Sequence, residues 1–198
     1  MMGTESQPRD NGASERIECD LRASYGAYAY LRDHDLARVS TTSRLLREAN
    51  LARLAYRVRD ELDELRGVID GTHGHGHGRD DVVLEAYQSL YWLTVLAVAA
   101  GDTYDDVRPH TALEHEDPSP PTPLPVRGRG EQRDAGAELE GLDSTDTATR
   151  RWAVRHAMTH LAGLCGQAGV AVAEPVARDL SELRARSYLA PYWEGMDA

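Results

Sequence analysis

Four side chains that end in carboxylate or amide oxygens form two pairs, and the members of each pair are three residues apart. Glu61 and Glu64 make the first pair, and Glu85 and Gln88 make the second. Residues three apart lie on the same face of an α-helix, so each pair presents two oxygens in one direction. Oxygen ligands suit hard divalent cations, Mg²⁺ above all, with Mn²⁺ as a second candidate.

Hydrophobic spacing predicts a helix for each pair. Apolar residues recur at steps of three and four from Leu51 to Ile69, and Gly71 follows the last of them. Residues 82–100 are apolar on nearly every face in their second half, which is typical of a buried helix. A short loop between the two helices favours antiparallel packing, which would bring the pairs face to face. We interpret the aromatic residues of the second helix as core residues and not as a base-stacking platform: Tyr87, Tyr91 and Trp92.

A helical projection places Glu61 and Glu64 beside the core stripe that contains Val58, where a side chain points into a cleft. Carboxylates gathered in a cleft repel one another and take up protons unless a cation neutralises them. One divalent ion would hold substrate phosphates there, while another would lower the pKa of an attacking water. The two pairs therefore predict a metal site that acts on phosphoanhydrides.

This pattern resembles the all-α nucleotide pyrophosphohydrolases, which include the MazG-like and the phosphoribosyl-ATP pyrophosphohydrolase-like enzymes. Their signature is ExxE, a gap and then ExxD. This chain has ELDE at residues 61–64 and, after twenty residues, EAYQ at residues 85–88. The run EAYQSLYWLTVL is most similar to the corresponding helix of phosphoribosyl-ATP pyrophosphohydrolase. The resemblance covers roughly residues 40–110.

The resemblance implies a homodimer or higher oligomer with Glu61, Glu64 and Glu85 as catalytic metal ligands. It implies Mg²⁺-dependent cleavage of a nucleotide between its α and β phosphates. The products would be a monophosphate, or a phosphoribosyl-AMP-like compound, and pyrophosphate. Gln88 stands where the family has aspartate, and as an auxiliary ligand its amide would hold Mg²⁺ more weakly. The alternative is a weakened or inactive bundle that senses nucleotides or binds another protein.

Arginine must supply any contact to substrate phosphates, because the chain has no lysine and all 22 basic residues are arginines. Arg57 lies one turn before Glu61, and Arg79 lies just before the second helix. The net charge of -11 disfavours a nucleic-acid-binding protein, which needs clustered basic residues. The charge therefore argues against a nucleic-acid partner, and a nucleotide substrate is what the resemblance implies.

The acidic, lysine-free composition fits a salt-loaded cytoplasm, where surface carboxylates keep a protein hydrated and salt screens their repulsion. We favour this halophilic interpretation over codon bias. The longest apolar run, from Leu90 to Ala100, has about half the length that a membrane span needs. No basic segment precedes an apolar one at the start, as it would in a secretory signal. We expect a cytoplasmic protein with no membrane partner.

A glycine-rich segment, GTHGHGHGRDD at residues 71–81, separates the two pairs. Its histidines, His73, His75 and His77, alternate with glycines. We expect a flexible loop, because ordering a glycine-rich segment costs conformational entropy. A lid over the substrate phosphates is one alternative. Binding of Zn²⁺ or another transition metal through the imidazoles is a second.

Composition divides the chain into four segments. Residues 1–15 are predicted to be a disordered tail, and residues 16–113 a helical MazG-like core. Five prolines between positions 118 and 125 exclude regular structure, so residues 114–144 are predicted to be a Pro/Gly-rich linker. Residues 145–198 would form helices that pack on the core or on a dimer partner. The predicted fold class is all-α, an antiparallel bundle with a C-terminal helical extension.

Overall fold

The computed structural model describes residues 11–74, 76, 78–114 and 139–196. Within these ranges the chain is helical and has no strand, which confirms the all-α class. A 3₁₀ turn spans Ser187–Leu189. The α-helices, in chain order, are α1 (Asn11–Asp33), α2 (Thr41–Glu48), α3 (Leu51–Ile69), α4 (Arg79–Ala99), α5 (Tyr104–Val107), α6 (Pro109–Leu113), α7 (Thr147–Gln167), α8 (Ala173–Arg184) and α9 (Ala190–Met196).

Two segment boundaries differ from the sequence prediction. Residues 11–15, assigned to a disordered tail, form the first turn of α1, where Ser14 hydrogen-bonds to Glu114 at the end of α6. Residues 139–144, assigned to the linker, are packed, because Leu139 and Leu142 are buried. Both differences arise from contacts between residues far apart in the sequence. Residues 1–10 and 115–138, the rest of the predicted tail and most of the linker, lie outside the described residues.

α3 and α4 form a helical hairpin at the centre of the fold. α3 begins after Asn50, whose side chain accepts a hydrogen bond from the backbone N–H of Arg53 at 3.1 Å. It ends just before Gly71, which has a positive φ of 71°, as the sequence predicts for a glycine that closes a helix. Because a short loop joins two consecutive helices that pack on each other, they run antiparallel.

α4 is the core helix of the described structure, because α1, α2, α3, α7 and α8 all pack against it. Leu90, Leu93 and Leu96 are fully buried on it. By length and composition alone α4 could cross a membrane. However, 61% of its most apolar window is buried inside the bundle, as expected for the core helix of a soluble protein.

The C-terminal segment packs on α1 through specific polar contacts. The hydroxyl of Tyr28 donates a hydrogen bond to Oδ1 of the buried Asp179 on α8, at 2.5 Å. The hydroxyl of Tyr192 on α9 donates to the backbone carbonyl of Ala23 at 3.0 Å. A Cβ atom at Gly26 would overlap this tyrosine hydroxyl. Gly26 lowers the helix propensity of α1, but because it has no Cβ atom it allows α9 to approach closely.

A buried charge cluster fixes α7 to the end of α4. Asp102, which is 3% exposed, accepts a hydrogen bond from Nε of Arg151 at 2.6 Å and two longer ones, at 3.4 Å, from Arg150. Arg150 is also buried and donates to the backbone carbonyl of Ser144 at 3.1 Å. A buried charge of this kind is tolerated only while its partners remain in place.

We expect Asp102→Ala to lower the free energy of unfolding by about 3–5 kcal/mol, because Arg150 would be left buried without its carboxylate. Urea denaturation measures the change. Asp105→Ala is the matched control, since Asp105 is exposed and pairs with Arg22 at the surface. Its effect should stay at or below about 1 kcal/mol. Equal effects of the two substitutions would contradict a special role for the buried cluster.

Candidate metal centre

Three residues with metal-ligating atoms meet where α3, α4 and the loop between them come together. These are Glu64 near the end of α3, Glu85 in the first half of α4, and His73 in the loop. Their ligand atoms all lie within 4.8 Å of one another. The ligands of a single Mg²⁺, each about 2.0–2.1 Å from the ion, lie up to about 4.2 Å apart. Small side-chain adjustments would therefore place all three on one cation.

The start of the loop is fixed to α3 at Gly67. The backbone N–H groups of Thr72 and His73 both donate to the carbonyl of Gly67, at 2.8 and 2.9 Å. A Cβ atom at Gly67 would lie 2.9 Å from Cβ of His73, which is closer than real Cβ contacts. The glycine thus gives the loop room to fold back over α3. This fold-back brings His73 to the two glutamates. His75 and His77 lie outside the described residues.

Glu61 lies beside this trio and is almost fully buried, at 1% exposure. Its Oε1 accepts a hydrogen bond from Arg57, and its buried Oε2 has no hydrogen-bond partner among the described residues. Burial raises the pKa of Glu61 to about 7. Arg57 opposes that rise, and the nearby charges of Glu64 and Glu85 add to it. An unsatisfied buried carboxylate oxygen is a group that a cation or a water molecule would stabilise.

The two arginines predicted to contact phosphates both have protein partners. Arg57 binds Asp60 and Glu61 and lies over the ring of Trp92, with its guanidinium carbon 5.1 Å from the ring centroid. Arg79, which is exposed, forms a two-pronged ion pair with Glu174 at 2.6 and 2.7 Å. Arg57 is therefore the arginine next to the carboxylates, whereas Arg79 is directed to the start of α8.

Gln88 contacts Glu85 through its amide nitrogen. Nε2 donates a hydrogen bond to Oε2 of Glu85 at 3.3 Å. A donor in this place orients the carboxylate and adds no negative charge to the cluster. The sequence predicts Gln88 as an auxiliary ligand, whereas its contact in the structure is that of a residue that positions a ligand.

An open depression of about 410 Å³ borders the trio on the loop side. Thr72, His73 and Asp81 contribute polar side chains to its wall, and Val68 and glycines of the loop supply the rest. Glu64 is only half-buried, so the trio is reached from solvent. Access of this kind is what a small anionic ligand bridged by a metal would need.

The structure brings together Glu64 and Glu85 as the sequence predicts, with Glu61 next to them and outside the set of three. It adds His73, for which the sequence predicts a flexible loop, with a lid and a transition-metal site as the alternatives. The place of His73 in the sequence could have indicated this contact, because a loop between two facing carboxylate pairs must pass close to both. No family model, curated protein or solved structure matches the chain. The resemblance to MazG-like enzymes therefore remains a prediction.

Glu61→Gln should raise the Tm of the metal-free protein by a few degrees at about pH 8 and by less at about pH 5. A carboxyl group whose pKa is higher in the folded state favours folding when it is protonated. The contribution of Glu61 to the free energy of unfolding therefore falls as the pH rises from about 4.5, the pKa of an unperturbed glutamate, to about 7. Glutamine is neutral throughout, so it removes this loss.

Thermal unfolding in EDTA across this pH range measures the effect. Asp63→Asn is the matched control, because Asp63 is exposed on the same helix. If Glu61→Gln lowered the stability equally at about pH 5 and about pH 8, ionised Glu61 would not destabilise the folded protein, and the prediction would be wrong.

Proposed function

We propose that this chain is a MazG-like, divalent-cation-dependent nucleotide pyrophosphohydrolase. It would cleave a nucleotide between the α and β phosphates into a monophosphate and pyrophosphate. The observation that carries the proposal is the convergence of Glu64, His73 and Glu85 beside a buried oxygen of Glu61 that has no hydrogen-bond partner within the part of the chain that the structure describes. Carboxylates held this close favour a bound cation. A cation held by few protein ligands keeps positions open for phosphate oxygens and water.

The donor set points to Mn²⁺ as much as to Mg²⁺. Two carboxylates suit both ions, but an imidazole suits transition metals better than Mg²⁺. His73 therefore favours Mn²⁺ over the Mg²⁺ that the family resemblance implies. The metal, when bound, would polarise the phosphate and lower the pKa of a coordinated water.

The protein side chains have separate roles in this proposal. Glu64, His73 and Glu85 hold the metal, and Gln88 orients Glu85 through its amide N–H. Glu61 lies outside the set of three, and no described residue donates a hydrogen bond to its Oε2, so we assign it the role of accepting the proton of the attacking water. Burial raises the pKa of Glu61 to about 7 in the metal-free protein, and a cation bound beside it would lower that pKa, so that Glu61 is ionised and able to accept a proton.

A second candidate function is a nucleotide-sensing or protein-interaction module without catalysis. Two contacts favour it. Gln88 brings an N–H group in place of a negative charge, and Arg57 already neutralises one oxygen of Glu61. Both contacts reduce the electrostatic stabilisation that a bound cation would provide. A weakly bound metal would then support nucleotide binding without hydrolysis.

Oligomeric state and cellular setting remain predictions. The resemblance implies a homodimer or higher oligomer, and the composition favours the salt-rich cytoplasm of a halophile. Size-exclusion chromatography with light scattering, in low and molar KCl, measures the mass directly. A monomeric mass at both salt concentrations would contradict the predicted homodimer or higher oligomer.

With Mn²⁺ or Mg²⁺ in molar KCl, nucleoside triphosphates should be converted to monophosphate and pyrophosphate, which ³¹P NMR distinguishes from diphosphate and phosphate. Glu64→Gln and Glu85→Gln should each lower the rate by about 10²-fold or more, the typical loss when a positioned catalytic group is removed. Asp63→Asn, in the same motif but exposed, should retain the rate of the unmodified protein.

Isothermal titration separates the two candidate functions. Metal-dependent nucleotide binding without release of pyrophosphate would favour the sensing module over the enzyme. Absence of any metal-dependent nucleotide binding would contradict both.

Gln88→Asp should tighten Mn²⁺ binding by about tenfold, because it adds a negative charge next to Glu85. Calorimetric titration of the metal alone measures this change. Gln167→Asp provides the matched control, since Gln167 is exposed at the end of α7. An unchanged Mn²⁺ affinity in Gln88→Asp would show that the charge at residue 88 does not affect metal binding.

A further inference from the structure

A second pocket lies on another side of α4, away from the candidate metal centre. Tyr87 and Tyr91 of α4 line it. Because an α-helix turns by about 100° per residue, the side chains of both tyrosines lie more than about 100° around the helix axis from that of Glu85. α1, the start of α2, α8 and the 3₁₀ turn complete the walls. The volume of about 270 Å³ lies just below the roughly 300–1,000 Å³ of typical ligand sites, so an occupant must be small.

Four tyrosines are among the residues that line this pocket; Tyr87, Tyr91 and Tyr188 are partly exposed, whereas Tyr28 is only 1% exposed. The rings of Tyr28 and Tyr91 meet as a corner, with centroids 5.9 Å apart and planes inclined at 65°. Tyr87 and Tyr188 contribute two more rings. The face of a tyrosine ring carries negative electrostatic potential and attracts cations. The chain itself uses this property, because the guanidinium carbon of Arg178 lies 5.5 Å from the centroid of Tyr87.

A buried carboxylate lies at the floor of the same pocket. Asp179 is 1% exposed and accepts a hydrogen bond from the hydroxyl of Tyr28 at 2.5 Å. Burial raises the pKa of Asp179 to about 6, so the group is still mostly ionised at neutral pH. At the rim, Glu182 lies 3.4 Å from Arg186. The lining thus has two carboxylates and one guanidinium, and its net charge is negative.

We propose that this pocket binds a small organic ammonium ion of about the size of choline, held between the tyrosine rings and compensated by Asp179. An anionic nucleotide would be repelled by Asp179. A neutral ligand would gain neither the cation–π attraction nor the charge pairing. The proposal is independent of the function proposed for the metal centre.

The test titrates the full chain with choline and, in parallel, with 3,3-dimethylbutan-1-ol, which has the same shape but no charge. Calorimetry should show that choline binds at least about tenfold more tightly than the neutral alcohol. Choline that binds no better than the alcohol, or does not bind, would overturn the proposal.

Variants then locate the site. Asp179→Asn and Tyr91→Leu should each weaken choline binding by about tenfold or more. Because Asp179 and Tyr91 also make structural contacts, Tyr188→Leu at the pocket wall tests the same point with less risk to the fold, and thermal unfolding confirms that each variant is folded. Tyr56→Leu, at an exposed tyrosine of α3, and Glu85→Gln, at the metal centre, should leave choline binding unchanged. Full choline affinity in folded Tyr188→Leu and Tyr91→Leu would overturn the assignment, as would loss of affinity in Glu85→Gln.

Discussion

The confinement of three carboxylates to one small volume between α3 and α4 is the constraint on which the centre of this structure depends. Burial raises the pKa of Glu61, and the nearby charges of Glu64 and Glu85 raise it further; among the described residues, one oxygen of Glu61 has no hydrogen-bond donor. Burial and these neighbouring charges both favour the protonated form of Glu61. The protein compensates in part with Arg57 on one side and with the N–H donor of Gln88 on the other. A divalent cation would complete the compensation, and this need links the fold to the proposed chemistry.

The hairpin that creates the constraint could be predicted from the sequence, because its signals are local. Three- and four-residue apolar spacing marks α3, Gly71 ends it, and the continuous apolar run marks α4 as the buried helix. The helix α7, residues 147–167, likewise lies within the segment 145–198 that is predicted to be helical. Helix period and glycine position depend on neighbouring residues only, so one sequence carries that information. The facing of Glu64 and Glu85 follows from the hairpin.

What could not be predicted depends on contacts between distant residues. His73 joins the glutamates only because the loop folds back onto the bare backbone of Gly67. The direction of the Gln88 amide and the pairing of Arg79 with Glu174 are set by packing that residue spacing does not encode. The aromatic residues of α4 were expected in the core. Tyr87 and Tyr91 are indeed partly buried, but they also wall a pocket whose floor carboxylate comes from α8. α4 therefore serves a carboxylate cluster on one face and an aromatic pocket on another.

The most direct measurement is a crystal structure of the full chain with MnCl₂, with anomalous diffraction data to locate the metal. We expect an anomalous peak about 2.0–2.3 Å from ligand atoms of Glu64, His73 and Glu85, with Glu61 close by. It also predicts that the peak is lost in Glu85→Gln crystals grown under the same conditions. A map with no peak between α3 and α4 at saturating Mn²⁺, or with the metal bound elsewhere, would contradict the central claim.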